Sequence, residues 1–121
     1  MATTAGQLAN FYCDEGRWDD AEACLAAYPD YRGSGGMVEA RLKAHNGEHD
    51  KALELARSVV EHADQGDELN GRALMWLGFA EVQRAAGRGE DAARSVARAI
   101  ELYELKGNLA AATKARAPIS R

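Results

Sequence analysis

Three stretches of the sequence share one pattern, a glycine, three mixed residues, an acid or lysine, then alanine. They are Gly16-Arg17-Trp18-Asp19-Asp20-Ala21, Gly47-Glu48-His49-Asp50-Lys51-Ala52 and Gly87-Arg88-Gly89-Glu90-Asp91-Ala92. Each glycine divides two stretches with helical periodicity, so each copy reads as helix, tight turn, helix. Glycine suits the end of the first helix because it tolerates the left-handed conformation there. The acids that follow fall at the start of the next helix, where a carboxylate caps unpaired N–H groups and meets the positive end of the dipole.

The rest of the chain agrees with helix. Only Pro29 and Pro118 interrupt it, and β-branched residues are too scattered to build strands. Seven helices are expected, over about 5–15, 18–27, 37–45, 49–62, 69–86, 90–105 and 108–117. The expected linkers are Pro29 to Gly36, in which Gly33-Ser34-Gly35-Gly36 reads as flexible, and the polar stretch Ala63 to Glu68. The apolar share of 46% is mostly Ala and Leu, which implies closely packed helices in one domain spanning 1–121.

The segments resemble the tetratricopeptide repeat (TPR), whose pattern is W-x2-L-G-x2-Y, then A-x3-F, then P. The first copy supplies Ala5-x2-Leu8-Ala9-x2-Tyr12, then Ala21-x3-Leu25. The third supplies Trp76-x2-Phe79-Ala80-x2-Gln83, then Ala92-x3-Val96. The second is weaker, with Gly36, Glu39, Ala40 and Lys43 followed by Ala52-x3-Ala56. No copy has the closing proline in register, and the glycines are 31 and then 40 residues apart where the family repeats every 34 or so. The resemblance implies an all-α, right-handed superhelical stack of about three helix-turn-helix pairs, over roughly 2–31, 33–62 and 69–105, plus a C-terminal capping helix at about 108–117. Small residues at Ala9, Ala21, Ala40, Ala52, Ala80 and Ala92 would then let paired helices approach closely. The phrase Ala99 to Asn108 is also similar to repeat segments near the C-termini of bacterial multidomain signalling proteins, among them LuxR-type regulators and ATPase-linked nucleotide cyclases.

In that register the positions facing a concave groove are Gly6, Asn10, Cys13 and Asp14, then Met37, Arg41 and His45, then Leu77, Glu81 and Arg84. The mixture suits a protein or peptide partner with both charge and an apolar anchor. TPR proteins that clamp acidic chaperone tails use Lys, Arg and Asn in the groove. Only Asn10 matches them, which disfavours that ligand. The expected function is a protein-interaction scaffold of a bacterial protein. The alternative is self-association, with end repeats completing their core on a second copy of the chain.

Other chemistry has less behind it. A net charge of −4 and the lack of a Lys/Arg-rich tract leave few groups to neutralise phosphates, so no nucleic acid is expected. The opening MATTAGQLANFY has neither a basic nor an apolar leader region, and no apolar run approaches the ~20 residues that span a bilayer. A cytoplasmic protein with no membrane partner is expected. Gly47 divides His45 from His49 and spoils a shared metal face. Cys13 and Cys24 read as small buried hydrophobes. Asp14, Glu15, Asp19 and Asp20 lie beside turns with no apolar pocket to tune them for acid–base work. The expectation is no enzyme, no metal and no cofactor. Glu90 with Arg94 and Arg98 with Glu101 read as surface ion pairs. Trp76 is expected in the core, and Trp18, in a turn, as the more exposed anchor.

Overall fold

The computed structural model describes residues 5–27 and 34–116. They form seven helices: α1 (Ala5–Asp14), α2 (Trp18–Ala27), α3 (Ser34–His45), α4 (His49–Ala63), α5 (Leu69–Ala85), α6 (Gly89–Lys106) and α7 (Leu109–Arg116). No strand occurs among the described residues, and the fold is all-α.

The glycine turns carry the local order. Gly16, Gly47, Gly87 and Gly107 have φ of 74°, 88°, 81° and 83°, the left-handed region that side chains disfavour. The next residue's N–H reaches back five positions to close each helix: Arg17 to Tyr12 O at 2.8 Å, Glu48 to Lys43 O at 2.9 Å, Arg88 to Gln83 O at 2.8 Å and Asn108 to Tyr103 O at 2.9 Å. This is the Schellman closure, which satisfies carbonyls a helix end leaves open. Five residues past each glycine stands a buried alanine: Ala21, Ala52, Ala92 and Ala112. Its N–H donates to the carbonyl of the residue after the glycine in all four turns. The fourth turn, at Gly107, lies outside the three copies read from the sequence.

Two local expectations are corrected. Neither Glu48 nor Arg88, at the N-caps of α4 and α6, makes a side-chain cap hydrogen bond. The acids Asp50, Glu90 and Asp91 sit in the first turns and act there through the dipole. Side-chain caps come instead from Glu68, which accepts from Gly71 N at 3.0 Å, and Asn108, which accepts from Ala111 N at 3.3 Å. The expected flexible linker also ends early, because Ser34, Gly35 and Gly36 belong to α3. A Cβ on Gly36 would lie 3.0 Å from Val59 Cγ2, so that glycine serves the approach of α3 to α4. Positions 28–33, with Pro29, and Pro118 lie outside the described residues. The linker after α4 falls where expected. There Asp64 Oδ1 accepts from Arg72 Nε and Trp76 Nε1, each at 3.2 Å, and ties the loop to α5.

Each even-numbered helix packs on the one before it, while α1, α3 and α5 lie side by side in a row. α2 also reaches α3, α4 reaches α5, and α7 packs on α6. Among the described residues α2, α4 and α6 do not pack on one another. Three apolar clusters follow this order. One joins Ala9, Cys13 and Ala21 to Val38 and Leu42, a central one surrounds Met37, Ala52, Ala56 and Phe79, and a third joins Ala73, Ala99, Leu102, Tyr103 and Ala112. Each element buries its apolar face against helices one or two places away in the chain, as stacked repeats do. No helix among the described residues is long and apolar enough to cross a membrane.

α3 and α5 approach closely at Gly78. A Cβ on Gly78 would lie 2.5 Å from Met37 Cγ and 2.9 Å from its Sδ, and Met37 is fully buried. Gly78→Ala is therefore expected to destabilise by about 1–2 kcal/mol net, overpacking outweighing the helix-propensity gain. Gly71→Ala, whose Cβ would make only ordinary contacts with Glu68, is expected to stabilise by about 0.5–1 kcal/mol. Urea denaturation of the two variants checks the contrast, and equal stability changes would contradict the close approach.

Candidate functional site

The C-terminal ends of α1, α3 and α5 converge, and one cation joins them. Arg41 Nη2 lies 2.7 Å from Asp14 Oδ1 and 2.6 Å from Glu81 Oε2. The Arg41 side chain is only 8% exposed, whereas Asp14 and Glu81 are 60% and 48% exposed. The guanidinium is thus the most deeply covered of the three groups. Burial works against the charge on Arg41, but Glu81 and Asp14 outweigh it and hold the guanidinium above its ordinary pKa. Burial pushes the Glu81 carboxyl above its usual range, with Arg41 pulling the other way. Burial also pushes the Cys13 thiol up to about 11, against the opposing effect of Arg41, which keeps it protonated and unreactive at neutral pH.

Beside this cluster an open recess of about 230 Å³ is lined by Trp18, Arg41, Ala44, His45, Glu81, Val82 and Ala85. Trp18 stacks on His45, ring centroids 4.1 Å apart and planes 10° from parallel. Trp18 stands two residues after Gly16 and His45 two before Gly47, so the stack bridges adjacent turns. The indole is half-buried and forms one wall of the recess. A more polar recess of about 490 Å³ lies on α4, α5 and the start of α6, with Phe79 and Gln83 among its lining residues. Gln83 is buried, and its Oε1 accepts the Ser95 hydroxyl at 2.6 Å.

The groove positions read from the sequence divide into three sets. Asp14, Arg41, His45 and Glu81 come together, with exposed Arg84 on the same helix. Cys13 and Met37 are buried in apolar clusters, and Leu77 packs against the third. They do not line the recess, because each is turned into the apolar cluster it packs with. Gly6 and Asn10 lie on α1, and the Asn10 side chain is outside the described residues.

Trp76 packs against the core as expected, joining the central and the C-terminal clusters with its N–H on Asp64. Cys24 is half-buried where Cys13 is fully buried. His49 is half-buried. Arg94 pairs with Asp91 at 2.6 Å instead of Glu90, while Arg98 pairs with Glu101 as expected. Sequence reasoning missed the Trp18–His45 stack, which the symmetric placement of the two rings about neighbouring turn glycines could have signalled. It also missed the anchoring role of Asp64, for which the sequence carries no local signal.

Arg41 is best tested by removing it and then removing the repulsion it leaves. Arg41→Met is expected to destabilise by only about 0.5–1 kcal/mol, since two carboxylates then face each other without their shared cation but both stay about half exposed to water. Adding Glu81→Gln to that variant should recover part of the loss. Urea denaturation of the single and double variants gives both numbers, and no recovery would contradict an electrostatic role. The chain matches no family model, no curated protein and no solved structure.

Proposed function

We propose that the chain is a TPR-like repeat module, a right-handed superhelical stack that holds a protein or peptide partner and catalyses nothing. The observation that carries this reading is the recess where α1, α3 and α5 converge, floored by Ala44 and Val82 and walled by the Trp18–His45 stack. The four matching glycine turns support the repeat. They bring the odd-numbered helices into a row whose ends stay open.

The recess is small and mixed in character. It suits one apolar or aromatic side chain of a peptide, stacked on the exposed ring of His45, with polar flanks meeting the free edge of Glu81 and the exposed Arg84. The Arg41 charge is already taken up by Asp14 and Glu81. It holds the shape of the site, and the outer residues select the ligand. On this reading the sequence-level expectation that Arg41 itself grips a partner gives way to His45 and Arg84.

The test uses a displayed random-peptide library panned against the folded chain. Binding of enriched peptides is then measured by fluorescence in a Trp76→Phe background, where Trp18 is the reporter. Binding should perturb Trp18 emission, and His45→Ala combined with Arg84→Glu should weaken affinity by about tenfold or more, roughly 1.4 kcal/mol, with unchanged circular dichroism. Peptides that bind the double variant as tightly as the parent would place the binding surface elsewhere.

A further inference from the structure

Among the described residues α4 and α6 do not pack on one another, and the cleft between them is the polar recess of about 490 Å³ that α5 floors. It shares no lining residue with the recess beside Arg41. Phe79 and Gln83, which line the cleft, stand four apart on one side of α5, whereas Glu81 and Ala85, which line the other recess, fall on the opposite side of that helix. The two sites are separate.

The floor holds a donor with no protein partner. Gln83 is only 8% exposed, and its Oε1 accepts from the Ser95 hydroxyl at 2.6 Å, which fixes the carboxamide. Its Nε2 donates to no described residue, yet it is not shut off from the surface. An acceptor that enters the cleft satisfies it. The wall on α4 is charged. Asp50, Leu53, Glu54 and Arg57 are spaced at i, i+3, i+4 and i+7, one face of the helix. Asp50 and Glu54 are exposed like charges four apart, an arrangement that repels, and neither forms an ion pair among the described residues. On the α6 side Asp91 is held by Arg94 at 2.6 Å and lies 3.9 Å from Arg88. The lining groups left without an ion pair are then two neighbouring carboxylates and, at the far end of that face from Asp50, Arg57.

We propose that this cleft binds a peptide segment through one lysine or arginine side chain. The cation lies between Asp50 and Glu54 and relieves their repulsion, and its aliphatic stem rests on Leu53 and Phe79. A backbone carbonyl of the same segment accepts from Gln83 Nε2. Arg57 repels a second cation at the far end, so the cleft favours a single basic residue over a basic run. The proposal stands or falls apart from the recess beside Arg41.

NMR titration of the isotope-labelled full chain tests it, because the side-chain amide of Gln83 gives its own signals. The probes are a terminally blocked Ala-Ala-Lys-Ala-Ala peptide, the same peptide with norleucine in place of lysine, and n-butylammonium chloride, which carries the charge and stem without the carbonyls. The lysine peptide is expected to shift the Gln83 side-chain signals together with the backbone signals of Leu53 and Glu54. The norleucine peptide and n-butylammonium should each bind about fivefold more weakly or worse. Asp50→Asn combined with Glu54→Gln, both at exposed positions, should weaken the lysine peptide by about the same factor with unchanged circular dichroism. His45→Ala combined with Arg84→Glu should leave its affinity unchanged, which separates this site from the first recess. Gln83 side-chain signals that stay in place up to millimolar lysine peptide overturn the proposal. So does a norleucine peptide or n-butylammonium that binds as tightly, or an affinity that the Asp50→Asn and Glu54→Gln pair leaves intact.

Discussion

Every contact in this fold depends on how closely two helices can approach, and that approach is set by glycine and alanine. A left-handed glycine turns the chain after α1, α3, α5 and α6, and the alanine five residues on is buried with almost no accessible surface. A larger side chain at Ala21, Ala52, Ala92 or Ala112 would push the pair apart, and Gly36 and Gly78 set the same limit where α3 meets α4 and α5. Because small residues leave little apolar surface per helix, no pair is self-sufficient, and burial must come from neighbours on either side. The row of α1, α3 and α5 follows from that requirement.

The site is a consequence of the row. Where α1, α3 and α5 run side by side, two carboxylates from the outer helices come within reach of one side chain of the middle one, and Arg41 pairs with both Asp14 and Glu81. A desolvated ion cluster of this kind adds little net stability, since the desolvation of the guanidinium offsets much of the attraction. Its value lies in fixing which helices meet and at what register. The recess beside it keeps its shape because the cluster and the Trp18–His45 stack brace it from two sides.

Much of this was legible in the sequence, and what was not has physical reasons. The helix-turn-helix order could be read because it is written locally, in a glycine and an alanine five residues apart. The turn at Gly107 and Ala112 escaped because Ala111 stands where the other three copies have an acid or lysine. Asp14, Arg41 and Glu81 could be grouped because one register places all three on the same helix face. Cys13 and Met37 were assigned to that face too, yet they are buried, since periodicity reports which side is apolar and not how many neighbours cover it. Gly35 and Gly36 read as a flexible linker because propensity counts glycine as a helix breaker, whereas packing against Val59 requires it. The bond from Trp76 to Asp64 joins two elements across a turn, and no spacing rule anticipates it.

The helices hold one another in a linear order, with α3 and α5 supported on both sides and α1 and α7 on one. Native-state amide hydrogen exchange under mild denaturant reads this directly, since each helix exchanges at the free energy of its own opening. The account predicts a graded pattern, with α3, α5 and α6 the most protected, α1 and α2 intermediate, and α7 the first to open. Protection that is uniform along the chain, or an α3 that exchanges as fast as α7, would contradict it.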